Sequence, residues 1–92
     1  MSISVWSLPG DLVINDIDNL KQNVISDFLD VPELSIDCCE LTRIDTIGVQ
    51  FLIAFVQKRL QNNNKTQWQN VSEPLTQAIE QLGIDKSVLA LN

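Results

Sequence analysis

The residues that could do chemistry cluster in the middle of the chain, at Asp37, Cys38, Cys39, Asp45 and Thr46. Two nearby carboxylates are typical of a general acid and base pair or of a Mg²⁺ site. The chain has no histidine, however, and no glycine-rich phosphate-binding loop. We therefore expect no enzyme activity, no metal and no cofactor. Asp37 and Asp45 are instead predicted to accept hydrogen bonds from loop N–H groups.

The absence of histidine also limits nucleophilic and metal chemistry. Catalysis by a Ser/His/Asp or Cys/His arrangement is excluded within this chain. With two cysteines, a structural zinc site has too few ligands. The adjacent pair indicates reduced thiols in a cytosolic setting. Cys38 is expected to be a small buried hydrophobic residue and Cys39 to lie in a loop.

The overall charge favours a protein partner. The 92 residues include 12 acidic and 6 basic side chains, for a net charge of −6. Binding to nucleic acid or to an anionic membrane surface requires a cationic patch, so neither is expected. The apolar runs are shorter than the roughly 20 residues of a membrane-spanning helix, and the first ten residues do not read as a secretory signal. We predict a cytoplasmic domain with no direct membrane insertion.

Hydrophobic periodicity and turn residues predict the elements that position these side chains. Strands are expected at residues 3–8, 11–14, 34–39 and 66–69, and the first two can pair as an antiparallel hairpin. Helices are expected from an Asn15-Asp16 cap to about residue 29, at 46–61, from a Ser72 cap to residue 82, and in a last turn after Asp85. Asp16, Asp18 and Asp27 are expected on a solvated face.

This order of elements predicts the fold class. Strand–helix–strand units imply parallel pairing with right-handed crossovers. We therefore predict an α/β fold, with a four- to five-stranded mixed β-sheet and three to four helices packed mainly on one face. A single domain is expected over residues 1–92.

The start of the helix at 46–61 has alternative interpretations. Thr46 is a suitable N-cap residue, but Asp45 competes for the same role. Gly48 lies in the first turn, where glycine costs about 1 kcal/mol relative to alanine. That cost indicates either close packing of the helix end on a strand or loop, or room for the backbone of a partner.

The same helix is apolar around most of its circumference. One line of side chains contains Ile47, Phe51 and Phe55, and another contains Val49, Leu52, Val56 and Leu60. A helix on a small sheet is expected to expose polar residues on its outer side. One line is therefore core, and the other is either an exposed partner surface or is buried by the last helix.

The segment at residues 36–48 resembles the central motif of STAS domains, the family named for sulfate transporters and anti-sigma factor antagonists. In that motif an apolar strand ends in Asp, and Asp-Ser/Thr-x-Gly opens a helix. Asp37 matches the strand residue, and Asp45-Thr46-Ile47-Gly48 matches the helix start. Two flanking segments, at residues 8–12 and 72–84, resemble the family's first turn and last helix. The resemblance covers most of the chain.

The resemblance implies a function in signalling. In anti-sigma factor antagonists the residue after the motif Asp is the phosphoacceptor of a partner kinase, and this role falls on Thr46. A phosphate at that position would change the charge of the docking face by about −1.5 to −2. Antagonists often carry a second Asp near the acceptor loop, where this chain has Val13. Stand-alone domains with Asp-Thr-x-Gly also resemble those associated with chemotaxis-type signalling.

The resulting hypothesis is a cytoplasmic regulatory module that binds an anti-sigma-type Ser/Thr kinase or a related signalling component. The predicted partner-binding residues are Asp45, Thr46, Ile47, Gly48, Gln50 and Phe51. The alternative is the STAS subunit of a bacterial phospholipid-transport ABC complex, docked permanently on the ATPase subunit. An exposed apolar helix and a free edge strand would also allow a homodimer.

Overall fold

The computed structural model describes residues 3–91, with side chains described at 3–13 and 21–91. The strands in this part of the chain are β1 (Ser4–Ser7), β2 (Asp11–Leu12), β3 (Glu33–Asp37), β4 (Arg43–Ile44) and β5 (Lys65–Gln69). The helices are α1 (Ile14–Phe28), α2 (Thr46–Gln61), α3 (Glu73–Gln81) and a C-terminal 3-10 helix (Lys86–Leu89). The fold class is α/β, as the sequence predicted.

The main sheet has three parallel strands in the order β1-β3-β5. In this register Ile36 of the central strand lies between Trp6 and Trp68 of its two neighbours. Strands β2 and β4 form a separate two-stranded parallel sheet. The crossovers between the parallel strands of the main sheet run through α1 and α2.

The predicted antiparallel hairpin is wrong, and so is the single mixed sheet. All the strand pairs described within residues 3–91 are parallel, and the five strands divide into two sheets. The turn at Pro9-Gly10 carries the chain away from β1, and the Gly10 carbonyl accepts hydrogen bonds from the N–H groups of Thr42 and Arg43. The strand predicted at residues 11–14 contains β2, but β4 was missed because a two-residue strand is too short to show alternation.

The helices cover mainly one face of the main sheet. Successive side chains of a strand point to opposite faces. Trp6, Leu34 and Ile36 point toward the helices and are buried. On the other face Val5 and Gln67 are exposed, and Ser35 of the central strand, which pairs with both, is the buried member. This one-sided burial explains why the strands alternate in sequence although they pair in parallel, an arrangement usually buried on both faces.

Helix α2 packs at the centre of the core. Val49, Leu52 and Val56 are fully buried, which identifies this line as core. The second line is also largely buried, since Phe51 and Phe55 are only 9% and 3% exposed. Of the large apolar side chains of α2, the exposed ones are Ile47 and Leu60, near its two ends, and the smaller Ala54 is exposed between them.

Helix starts differ in detail from the predictions. α1 begins at Ile14 after an extended Val13, rather than from an Asn15-Asp16 cap. The side chains of Asn15, Asp16 and Asp18 lie outside the described residues. Ser72 occupies the N-cap position of α3 as predicted, but its hydroxyl makes no capping hydrogen bond. Across residues 3–91, the helices are too short or too polar to cross a bilayer.

Candidate protein-binding site

Asp45 is the residue that caps α2. Its carboxylate accepts a hydrogen bond of 2.8 Å from the N–H of Gly48, and its backbone is extended, as at an N-cap. The competition between Asp45 and Thr46 for the cap is therefore decided for Asp45. This contact also confirms that the carboxylate hydrogen-bonds a backbone N–H group in its own loop.

Gly48 allows the start of α2 to pack against the second sheet. A Cβ atom at this position would collide with the carbonyl oxygen of Leu12 and lie 2.9 Å from Cγ1 of Ile44. The N–H of Asp45 donates to the same Leu12 carbonyl, at 3.3 Å. The close-packing interpretation of Gly48 is thus supported. Gly48 is itself buried, so its role at this site is to position the helix end.

Thr46 occupies the first position of α2, with its side chain exposed. Ile47 is 38% exposed and Gln50, one turn further on, is exposed as well. These three residues form a continuous exposed surface at the helix start, called the Thr46 surface below. Phe51 lies beneath it and is nearly buried, so it supports this surface more than it extends it.

The position of Thr46 has an electrostatic consequence. The first N–H groups of a helix carry its positive dipole end. One of them, at Gly48, is already occupied by the Asp45 carboxylate. A phosphate on Thr46 would add its charge beside that carboxylate, so it would make the Thr46 surface strongly negative.

The other predicted chemical residues have structural partners. The Asp37 carboxylate accepts hydrogen bonds from the Cys39 N–H at 2.9 Å and from Nδ2 of Asn70 at 3.1 Å. Cys38 is buried, and burial raises the pKa of its thiol to about 11. Cys39 is exposed. Among the described residues, no group of three His, Cys, Asp or Glu side chains could hold a metal ion.

Both tryptophans serve the packing of strands. Trp6 stacks on Phe28 at 6.3 Å between ring centroids and meets Phe55 edge-on at 5.2 Å. Trp68 is half-buried, and its Nε1 donates to the carbonyl of Leu89 at 2.7 Å. That bond ties the C-terminal 3-10 helix to β5. The predicted packing role of both tryptophans is supported.

Arg59 is a structural residue that sequence reasoning missed. It is fully buried, and its guanidinium donates to the carbonyls of Phe28, Leu29, Val31 and Lys65 and to Oγ1 of Thr66. Burial lowers the pKa of the guanidinium, but the surrounding carbonyl oxygens solvate the charge. The signal was its spacing from Leu52 and Val56, which places position 59 on the core line.

Comparisons with known proteins agree with this fold. A family model described as "Mlab, STAS domain" matches residues 3–91. A crystal structure of a sulfate transporter family protein from Wolinella succinogenes is similar, with a TM-score of 0.74 and 19% sequence identity. The similarity covers 96% of this chain and 71% of that one. The search of curated proteins returned no match. Because the family model spans almost the whole sequence, the chain belongs to the STAS domain family.

Proposed function

We propose that this STAS domain is a regulatory module that binds a protein partner through the Thr46 surface. STAS domains are in general non-enzymatic modules that mediate protein–protein interaction. The observation that carries the proposal is that different residues cap and line the start of α2. Asp45 caps the helix, and Thr46 is exposed beside the apolar side chain of Ile47.

Phosphorylation of Thr46 would regulate this contact. A partner surface that fits a neutral threonine and an isoleucine would meet a doubly charged group after modification. Binding would weaken without a change of fold, since the Thr46 side chain is exposed and Gly48 already holds the helix end in place. The partner in this proposal is an anti-sigma-type Ser/Thr kinase or a related signalling component.

A second candidate is permanent docking on the ATPase subunit of a phospholipid-transport ABC complex. Val13, half-buried directly before α1, favours it. The preceding Leu12 contacts the start of α2, so this position lies near the Thr46 surface. An apolar residue there suits a stable contact, whereas the antagonists that this motif resembles often carry an aspartate.

The test is affinity capture from the protein's own cells with wild-type, Thr46→Glu and Ile47→Asp baits. Gln67→Glu is the control, because it adds one negative charge on the exposed face of the main sheet. A specific partner should be retained by wild type and by the control and be reduced at least about 10-fold by both surface variants. A partner retained equally by all four baits would overturn the proposal.

The identity of that partner separates the two candidates. A kinase-fold protein, together with phosphate on Thr46 in the intact-mass spectrum, supports the regulated contact. An ABC ATPase recovered at equal stoichiometry, with Thr46 unmodified, supports permanent docking.

A further inference from the structure

A groove between α1 and α2 adjoins the Thr46 surface. Its volume is about 500 Å³, and its lining is mostly apolar. Phe51 and Phe55 are the most buried lining residues, and Ile25 and Ile47 are the exposed apolar ones, at 39% and 38%. Apolar grooves between helices accommodate apolar side chains of partner segments.

The charges around the groove are opposite to the charge of the whole molecule. The chain carries twice as many acidic as basic residues. Among the lining residues that the structure describes, the charged ones are nevertheless both lysines, Lys21 on α1 and Lys58 on α2. Because Arg59 is buried, these are two of the five cationic side chains that reach solvent.

We infer that the groove receives a partner segment whose apolar residues are bounded by carboxylate side chains. Apolar side chains of the segment would cover the exposed side chains of Ile25 and Ile47, and its Asp or Glu residues would pair with Lys21 and Lys58. A basic segment is disfavoured, since it would place like charges against both lysines. Outside the groove the acidic surface repels acidic segments, so the lysines determine where such a segment binds.

This inference rests on the proposed function and specifies the chemistry of the partner. Ile47 and Gln50 belong to the Thr46 surface and also line the groove, so one partner can cover both. The Thr46 surface supplies the contact that modification would alter. The groove adds further apolar contacts and, through its two lysines, the selection for carboxylates.

The test is selection from a phage-displayed library of random peptides on four immobilised proteins. These are wild type, Lys21→Glu/Lys58→Glu, the control Lys65→Glu/Lys86→Glu, and Ile47→Asp. The two lysine pairs are exposed, and their replacement changes the net charge equally, but only the first pair lines the groove. Wild type and the control should enrich peptides in which Asp or Glu flanks apolar residues.

Affinities of the enriched peptides provide the quantitative readout. A synthetic peptide should bind Lys21→Glu/Lys58→Glu at least about 10-fold more weakly than wild type, and Lys65→Glu/Lys86→Glu within about 3-fold. Its amide chemical-shift changes should map to α1 and α2. Enriched peptides without an acidic excess, equal binding to both double variants, or no enrichment at all would overturn the inference.

Two further results distinguish this inference from the proposed function. Peptides that lose binding to Ile47→Asp but not to Lys21→Glu/Lys58→Glu would contradict the inference, but they would still support binding through the Thr46 surface. Peptides that bind all variants equally would contradict both. Sodium decanoate is a separate probe: if it saturates the groove and no peptide does, the occupant is a small anionic amphiphile and the inference is wrong.

Discussion

At the scale of single residues, the start of α2 depends on two side-chain choices. Asp45 satisfies a backbone donor of the first turn, and Gly48 permits contact with the backbone of β2. Thr46 contributes to neither of these tasks. A residue that is exposed and has no structural task can be modified or can contact a partner without loss of stability, which is why the proposal centres on Thr46.

Replacing Gly48 tests how tightly this helix end is packed. Gly48→Ala should lower the free energy of unfolding by about 1–3 kcal/mol, because the added methyl group collides with the Leu12 carbonyl. This loss should outweigh the roughly 1 kcal/mol that alanine gains in a helix. Chemical denaturation of the purified variant provides the measurement.

Gly10→Ala is the matched control for this substitution. A Cβ atom at Gly10 would lie 3.5 Å from the nearest atom, the Glu40 carbonyl oxygen, which is an ordinary contact. Its stability should stay within about 0.5 kcal/mol of wild type. If Gly48→Ala proved as stable as Gly10→Ala, the close approach of α2 to β2 would be contradicted.

At the scale of elements, Arg59 joins the end of α1 to the start of β5. Its guanidinium lies where the C-terminal carbonyls of α1 lack helical partners and carry the negative end of the dipole. It donates there to Phe28 and Leu29, and on the other side to the carbonyl of Lys65. The Arg59 side chain thus links three elements, α1, α2 and β5.

Arg59→Lys should lower the free energy of unfolding by about 2–4 kcal/mol. The positive charge remains, but the ammonium group is smaller and cannot span acceptors on both sides, and buried carbonyls left without a donor cost about 1–3 kcal/mol each. Arg43→Lys, at an exposed position, is the control and should change stability by less than about 0.5 kcal/mol. If Arg59→Lys and Arg43→Lys were equally stable in thermal or urea unfolding, the several hydrogen bonds of the Arg59 guanidinium would not be needed for stability.

At the scale of the whole molecule, the three-stranded sheet and α2 form the rigid part of the fold. β3 lies between two strands, and Leu34, Ser35 and Ile36 are buried. The second sheet consists of two-residue strands. Local stability is expected to follow burial and hydrogen bonding, so we expect α2, which carries the Thr46 surface, to be a stable helix.

Amide hydrogen exchange followed by NMR tests this distribution. After correction for intrinsic rates, the amides of residues 34–36 should exchange at least about 100-fold more slowly than those of β4 and the C-terminal 3-10 helix. The reason is that the central strand opens only when the whole core does. Similar rates in all three segments would contradict a rigid core of β3 and α2.

Much of this protein could be predicted from its sequence, because local physical rules carry the information. Periodicity identified the three long helices and the strands at β1, β3 and β5, and the motif at Asp45-Thr46-Ile47-Gly48 indicated the STAS family. Capping preferences limited the start of α2 to Asp45 or Thr46. These features depend on residues close together in the chain.

The tertiary structure decided what depends on distant contacts. The pairing of β2 with β4 instead of β1 follows from a carbonyl of Gly10 that meets residues 42 and 43, which local periodicity does not encode. The burial of the Val49 line and of Arg59 depends in the same way on how distant elements pack around α2. The position of Lys21 and Lys58 at one groove depends on how α1 packs against α2. Local patterns limit what each element can be, and only packing determines which faces meet.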